Sequence, residues 1–275
     1  MAWVETASRS FTARHESRDS AAAESLLERL EGFRERLGRS FATVPEGIAV
    51  VMHPTPLQLS VARPWLPAAR AMTAPASRRY LAGWFGPEEI HVLTPAALEK
   101  RASDVPGSRE ALRLSAEHEL AHLVVAANNP SLPPPFTGRT LRHYLRWAWH
   151  CEGAATFFSG QVRHLRPALA RRLREGPSPS FPPSPRDAQL LGGTVYSLLE
   201  RGAGHGACVE LATTADDMDP STALERSFLR ETSEVEHDWR AHLKDLARGE
   251  GGRHNADVAR ARARATVGAL SLIHI

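Results

Sequence analysis

The 275-residue chain predicts an α+β fold: a small mixed β-sheet in the N-terminal half, then a helix carrying the segment HELAH, then a helical C-terminal half. Three observations carry that expectation. Short apolar runs bounded by proline and glycine are concentrated before residue 96. Apolar residues at helical spacing dominate after residue 108. A composition of 42% hydrophobic and 24% charged residues is ample for one compact domain with a real core, or for two small ones.

Taken in order, "DSAAAESLLERLEGFRERLG" has apolar residues at Leu26, Leu27, Leu30 and Phe33, the spacing of one helix face. Asp19 or Ser20 is its candidate N-cap and Gly38 its stop. "GIAVVMH", residues 47–53, is short, β-branched and flanked by Pro45 and Pro54, which predicts a buried strand. "LQLSVARPWLPAARAM" predicts a helix interrupted around Pro64. "RRYLAGWFGPEEIHVLTP" has two apolar runs separated by Gly86-Pro87, a β-hairpin or bent strand pair.

A helix is expected from about Arg109 to Ala127, ended by Asn128-Asn129-Pro130. A loop leads to a second helical stretch, "LRHYLRWAWHCEGAATFFSGQ", and the basic run "RHLRPALARRLRE" reads as one solvated helix face. The proline-rich residues 175–187 predict a surface loop. Helices follow in "AQLLGGTVYSLLER", "GACVELATTA" and "SEVEHDWRAHLKDLA". The expected organisation is a single domain over 1–248, with a strand-containing half (1–127) and a helical half (128–248). Residues 249–275 are polar and rich in glycine and arginine, which predicts a disordered tail or a loose helix. The terminal "LSLIHI" continues no periodicity and is read as a non-native addition outside the fold.

The bulk properties exclude several classes. The formal charge is +3, and all but two of the 34 basic residues are arginine, spread along the chain and mixed with acids. That is a compositional habit rather than a phosphate-binding face, so no nucleic-acid partner is expected. Two cysteines, Cys151 and Cys208, without a CxxC pair, argue against a disulfide-stapled secreted scaffold. The N-terminus has no apolar signal-peptide core, and no run approaches eighteen apolar residues. A soluble cytoplasmic protein with no membrane partner is the expectation; oligomeric state is not legible.

The chemistry is concentrated in HELAH. On a helix, His118 and His122 stand one turn apart on one face and offer two imidazole nitrogens to one ion. Glu119 lies beside the first of them, placed to take a proton from water at that ion. The bland alternative is two core histidines paired with a glutamate. A catalytic ion needs a third protein ligand, and the downstream candidates are His143, His150, Glu152, His164 and His205. The close spacing HExxHxxGxxH is absent. Glu152, in "RWAWHCEGAATFFSG", is an acid framed by Trp147, Trp149, Phe157 and Phe158, where a carboxylate is costly unless it meets a cation. Gly153, Ala154 and Ala155 let its helix approach another closely. His150, two positions earlier, points about 200° away. Cys151 reads as a small buried hydrophobe.

HELAH followed by "W…EGAATFFSG" resembles the glutamate-zincin (gluzincin) zinc metallopeptidases, more closely their bacterial "peptidase MA-like" group, which pairs HExxH with an "EGLAxYxSG"-type helix. The resemblance spans roughly residues 1 to 247 and is specific only at the two metal motifs. It implies a zincin-like fold, one Zn2+ per chain on His118, His122 and Glu152, and Glu119 as general base in peptide-bond hydrolysis. It also implies that the upper strand of "AGWFGPEEIHVLTP" is the edge that pairs with an extended peptide substrate. The chain departs from the pattern in three places: 29 residues separate His122 from Glu152, Phe157 replaces a tyrosine, and Thr156 stands where an aspartate could orient a ligand. Tyr144, Tyr196 and His205 are the candidate oxyanion stabilisers. The alternative function is a zinc-binding domain of this fold with a regulatory role and no turnover.

Overall fold

The computed structural model describes residues 2–214 and 219–248. The expected tail at 249–275 and the terminal LSLIHI lie outside the described residues.

A five-stranded mixed sheet occupies the N-terminal half, in the order β1-β2-β3-β5-β4. Its strands are β1 (Trp3–Ala7), β2 (Phe11–Glu16), β3 (Ile48–His53), β4 (Gly83–Phe85) and β5 (Glu89–Leu93). β1 and β4 are the edges and run antiparallel to their neighbours, whereas β2, β3 and β5 are parallel. Parallel neighbours need a crossover, and α1 (Ser20–Gly38) supplies the one between β2 and β3. It packs on the sheet through Leu26, Leu27, Leu30, Phe33 and Leu37. Gly86-Pro87 turns β4 back onto β5, pairing Gly83 with Val92 and Phe85 with Ile90. The stretch around Pro64 is two short helices, α2 (Pro56–Ala62) and α3 (Leu66–Met72), because proline lacks the N–H that would continue the first.

β1 and β2 were not expected, nor was α4 (Pro95–Arg101), whose Pro95 sits in the first turn. The single helix expected over 109–127 is two, α5 (Ser108–Arg113) and α6 (Ser115–Asn128). Leu114 leaves helical geometry at φ −88°, ψ 12°, and lets α6 turn toward the sheet while α5 packs on the helix α9 (Val162–Glu175). The next stretch also divides, at Trp147, into α7 (Gly138–Arg146) and α8 (Ala148–Phe158). α9 is not one solvated face: Leu165, Ala168 and Leu169 are buried, and buried Arg172 pairs with Asp187 at 2.7 Å. The proline-rich segment carries no helix or strand over 176–187, as expected, although Glu175 closes α9.

The C-terminal helices are α10 (Ala188–Thr213), broken at Gly204 where φ is +83°, α11 (Pro220–Phe228), and α12 over 232–248. α10 packs along α8, and α8 lies against α6. Glycine meets glycine where they touch: a Cβ on Gly153 would stand 2.7 Å from the carbonyl carbon of Gly192. α6 is anchored at its other flank by Arg29 of α1, 3.1 Å from buried Glu117. No helix of the described residues is long and apolar enough to cross a membrane.

Candidate metal centre

The HELAH segment is on α6, with every residue from Ser115 to Val125 buried. The one-turn spacing puts His118 and His122 side by side, their Nε2 atoms 3.1 Å apart. Glu152, from α8, faces both: Oε2 is 3.4 Å from His118 Nε2 and Oε1 is 3.7 Å from His122 Nε2. Each of the three residues is at most 6% exposed. Among the described residues this is the one group of histidine, cysteine and carboxylate side chains arranged to hold a metal ion. The arrangement fits an ion better than it fits a dry core, because Glu152 Oε2 is fully buried with no hydrogen-bond partner.

The neighbours orient this triad. Phe85 of edge strand β4 stacks on the His122 ring at 4.3 Å, which fixes its plane. Tyr144 of α7 donates its hydroxyl to Glu152 Oε1. Glu119 is buried beside the donors rather than among them, its carboxylate against the backbone of Gly83. The cleft in front is lined largely by apolar groups, with Met72, Leu81, Trp84, Phe136 and Leu145 around the polar centre.

Burial dominates the protonation of these groups. It pushes the Glu119 carboxyl up to about 8, with His118 opposing and Glu152 adding to the rise. It drives His122 down to about 3. Burial would raise Glu152 as well, but His118, His122 and the Tyr144 hydroxyl outweigh it and hold that carboxyl at about 2. His118 is raised despite its burial, because Glu152 and Glu119 favour its charged form. Glu152 is thus anionic and His122 neutral, the forms in which each can ligate a cation.

The remaining candidates lie elsewhere. His150 Nε2 donates to the Leu211 carbonyl at 2.9 Å. His143 stacks on Trp147, and His164 sits beside Arg163 on α9. His205 is exposed, with Glu200 and Ser40 at 3.4 Å. Tyr196 is fully buried against Phe157 and Phe158. Of the three residues considered for oxyanion contact, Tyr144 alone lines the cleft. Thr156 does not orient a ligand: its hydroxyl donates to the Gln189 carbonyl. Cys151 and Cys208 are buried and unpaired.

No protein-family model matches the chain, and no curated protein or solved structure was found to resemble it. The side chains themselves carry the functional reading. Sequence reasoning missed Gly83, whose signal was a glycine inside a strand, a mark of close backbone approach. The apolar rim had no such signal, because Met72, Phe136 and Leu145 come together only through the fold.

Proposed function

We propose that the protein is a zinc-dependent hydrolase of the gluzincin type that cleaves peptide bonds. The observation that carries the proposal is the placement of Glu119: a buried carboxylate next to three converging donors and not one of them. Tetrahedral ligands at about 2.1 Å from zinc stand about 3.4 Å apart. The separations of 3.1, 3.4 and 3.7 Å among His118, His122 and Glu152 are close to that edge. Two nitrogens and one carboxylate oxygen are also the donor chemistry of hydrolytic zinc sites with an open position.

Zinc on these residues would supply Lewis acidity, making water acidic near neutral pH and polarising a carbonyl. Glu119 accepts the proton of the attacking water and passes it to the leaving amine. Its raised pKa falls when positive charge occupies the donors, so it becomes a base near neutrality. Tyr144, whose hydroxyl reaches the site, donates to the oxyanion that develops on the substrate. The free edge of β4 offers backbone groups to an extended peptide, and the apolar rim of the cleft favours apolar side chains beside the scissile bond.

Metal analysis and turnover of a peptide library test the proposal together. The purified protein is expected to carry about one zinc per chain, the number one such site holds. Glu119→Gln is expected to keep the metal and lose nearly all hydrolysis, since an amide cannot accept the proton. Absence of zinc after reconstitution, or an active Glu119→Gln variant, refutes it.

A further inference from the structure

Arginine is spread along the sequence, but the fold gathers five basic side chains around one cavity of about 610 Å³. Arg70 comes from α3, Arg78 and Arg79 from the segment after it, and Lys100 and Arg101 from the end of α4. None of the five forms an ion pair among the described residues. The nearest acid in sequence, Glu99, turns to Arg109 at 2.7 Å and Arg113 at 3.9 Å. The guanidiniums are held in place by backbone carbonyls instead. Arg101 bonds the carbonyls of Arg79 and Arg78, and Arg70 Nε bonds that of Leu81 at 2.9 Å. Carbonyls orient these groups but leave their net charge in place. Arg70 Nη2 is buried without any partner.

We propose that this pocket is a binding site for a small multiply charged oxyanion, a polyphosphate or phosphate ester. Clustered like charges with no counter-charge cost energy that an anion of matching charge recovers. Fixed arginine forks suit phosphoryl oxygens, and Lys100 adds a point charge at the rim. Crowding is already visible at Arg101, where burial, then Arg70 and Arg79, bring the guanidinium down to about 10. The cavity size suits a ligand up to that of a nucleotide. Its concave form, walled by Pro54 and Pro75, favours such a ligand over a long nucleic-acid strand. The site is separate from the metal centre, although Leu81, whose carbonyl holds Arg70, also lines the metal cleft.

The test is calorimetric titration with inorganic phosphate, pyrophosphate and triphosphate at constant ionic strength. Saturable binding that tightens with charge is expected. The Arg78→Gln/Lys100→Gln variant, altered at two exposed positions, is expected to bind triphosphate at least about tenfold more weakly. Arg226→Gln/Arg248→Gln, far along the C-terminal helices, is expected to bind as the parent does.

A second measurement needs no variant. Lys100 and Lys244 are the two lysines of the chain, both exposed, so each reports on the other under an amine-acylating reagent. Triphosphate is expected to slow acylation of Lys100 and leave Lys244 unaffected. No saturable binding, equal protection of both lysines, or undiminished binding by the double variant overturns the proposal. A DNA oligonucleotide that binds at this pocket more tightly than triphosphate overturns the assignment to a small ligand.

Discussion

Gly83 of the edge strand and Glu119 of α6 are in such close contact that a Cβ on Gly83 would lie 2.7 Å from Glu119 Cγ and 2.9 Å from its Cδ. The strand backbone is the wall against which the carboxylate rests. Gly83→Ala is therefore expected to push the base aside while leaving the three donors in place. Peptide hydrolysis should fall by about a hundredfold, the cost of a displacement near 1 Å, with zinc content unchanged. Full activity in Gly83→Ala would mean that the position of Glu119 is not set by β4.

The two acidic and imidazole side chains of α8 separate cleanly by metal affinity. Glu152→Ala removes one of three ligands and should weaken zinc binding by about a hundredfold or more, read by competition with a chelator. His150→Ala should leave zinc affinity intact and instead cost about 1–3 kcal/mol in urea unfolding, because the Leu211 carbonyl loses its buried donor. Loss of zinc on replacing His150 would refute this division.

Tyr144→Phe deletes one hydroxyl and keeps the ring that packs on Phe136. A role in stabilising developing negative charge predicts a fall in kcat of about ten- to a hundredfold with KM changed little. Zinc stoichiometry should stay that of the parent. An effect on KM alone would make Tyr144 a residue of substrate binding.

His53 and His91 stack with their ring nitrogens 2.8 Å apart, on the sheet beside Arg63 and Glu89. Burial first brings both down to about 4 from 6.5; the charges of His91 and then Arg63 depress His53 further, and that of Arg63 depresses His91. A depressed folded pKa means that the unfolded chain binds more protons. The neutral pair is thus fully favourable above about pH 6.5, and stability is lost as the pH falls from there toward 4. Replacing the pair by His53→Leu/His91→Phe should make the dependence of unfolding free energy on pH shallower by up to two protons in that window. An unchanged slope in urea titrations at pH 4.5, 5.5 and 6.5 would contradict it.

The legible part of the molecule was the part written locally. The apolar spacing of α1, the proline break near Pro64, the turn at Gly86-Pro87 and the one-turn histidine pair all follow from neighbours in sequence. The acid at Glu152 was readable from the burial cost of its surroundings, and the structure sets it opposite the pair. The breaks at Leu114 and Trp147 carry no glycine or proline, because tertiary packing bends the chain there. The signal of β2 is short, with Phe11, Ala13 and His15 alternating toward the core. β1 has no buried residue to betray it. The gathering of Arg70, Arg79 and Arg101 was invisible for the same reason as the rim of the cleft: it joins distant segments.

The glycine contact between α8 and α10 has a consequence for length variation. Gly153 against Gly192 seats Glu152, and Arg29 against Glu117 helps to seat the histidines, so neither anchor draws on residues 130–146. α7 within that interval buries none of its residues. Insertions and deletions there can be absorbed without moving the backbone of either half of the donor set, provided the Tyr144 hydroxyl still reaches Glu152, and would change what reaches the cleft. The count of residues between His122 and Glu152 is then a poor ruler of kinship, since chains with very different counts can close the same triangle.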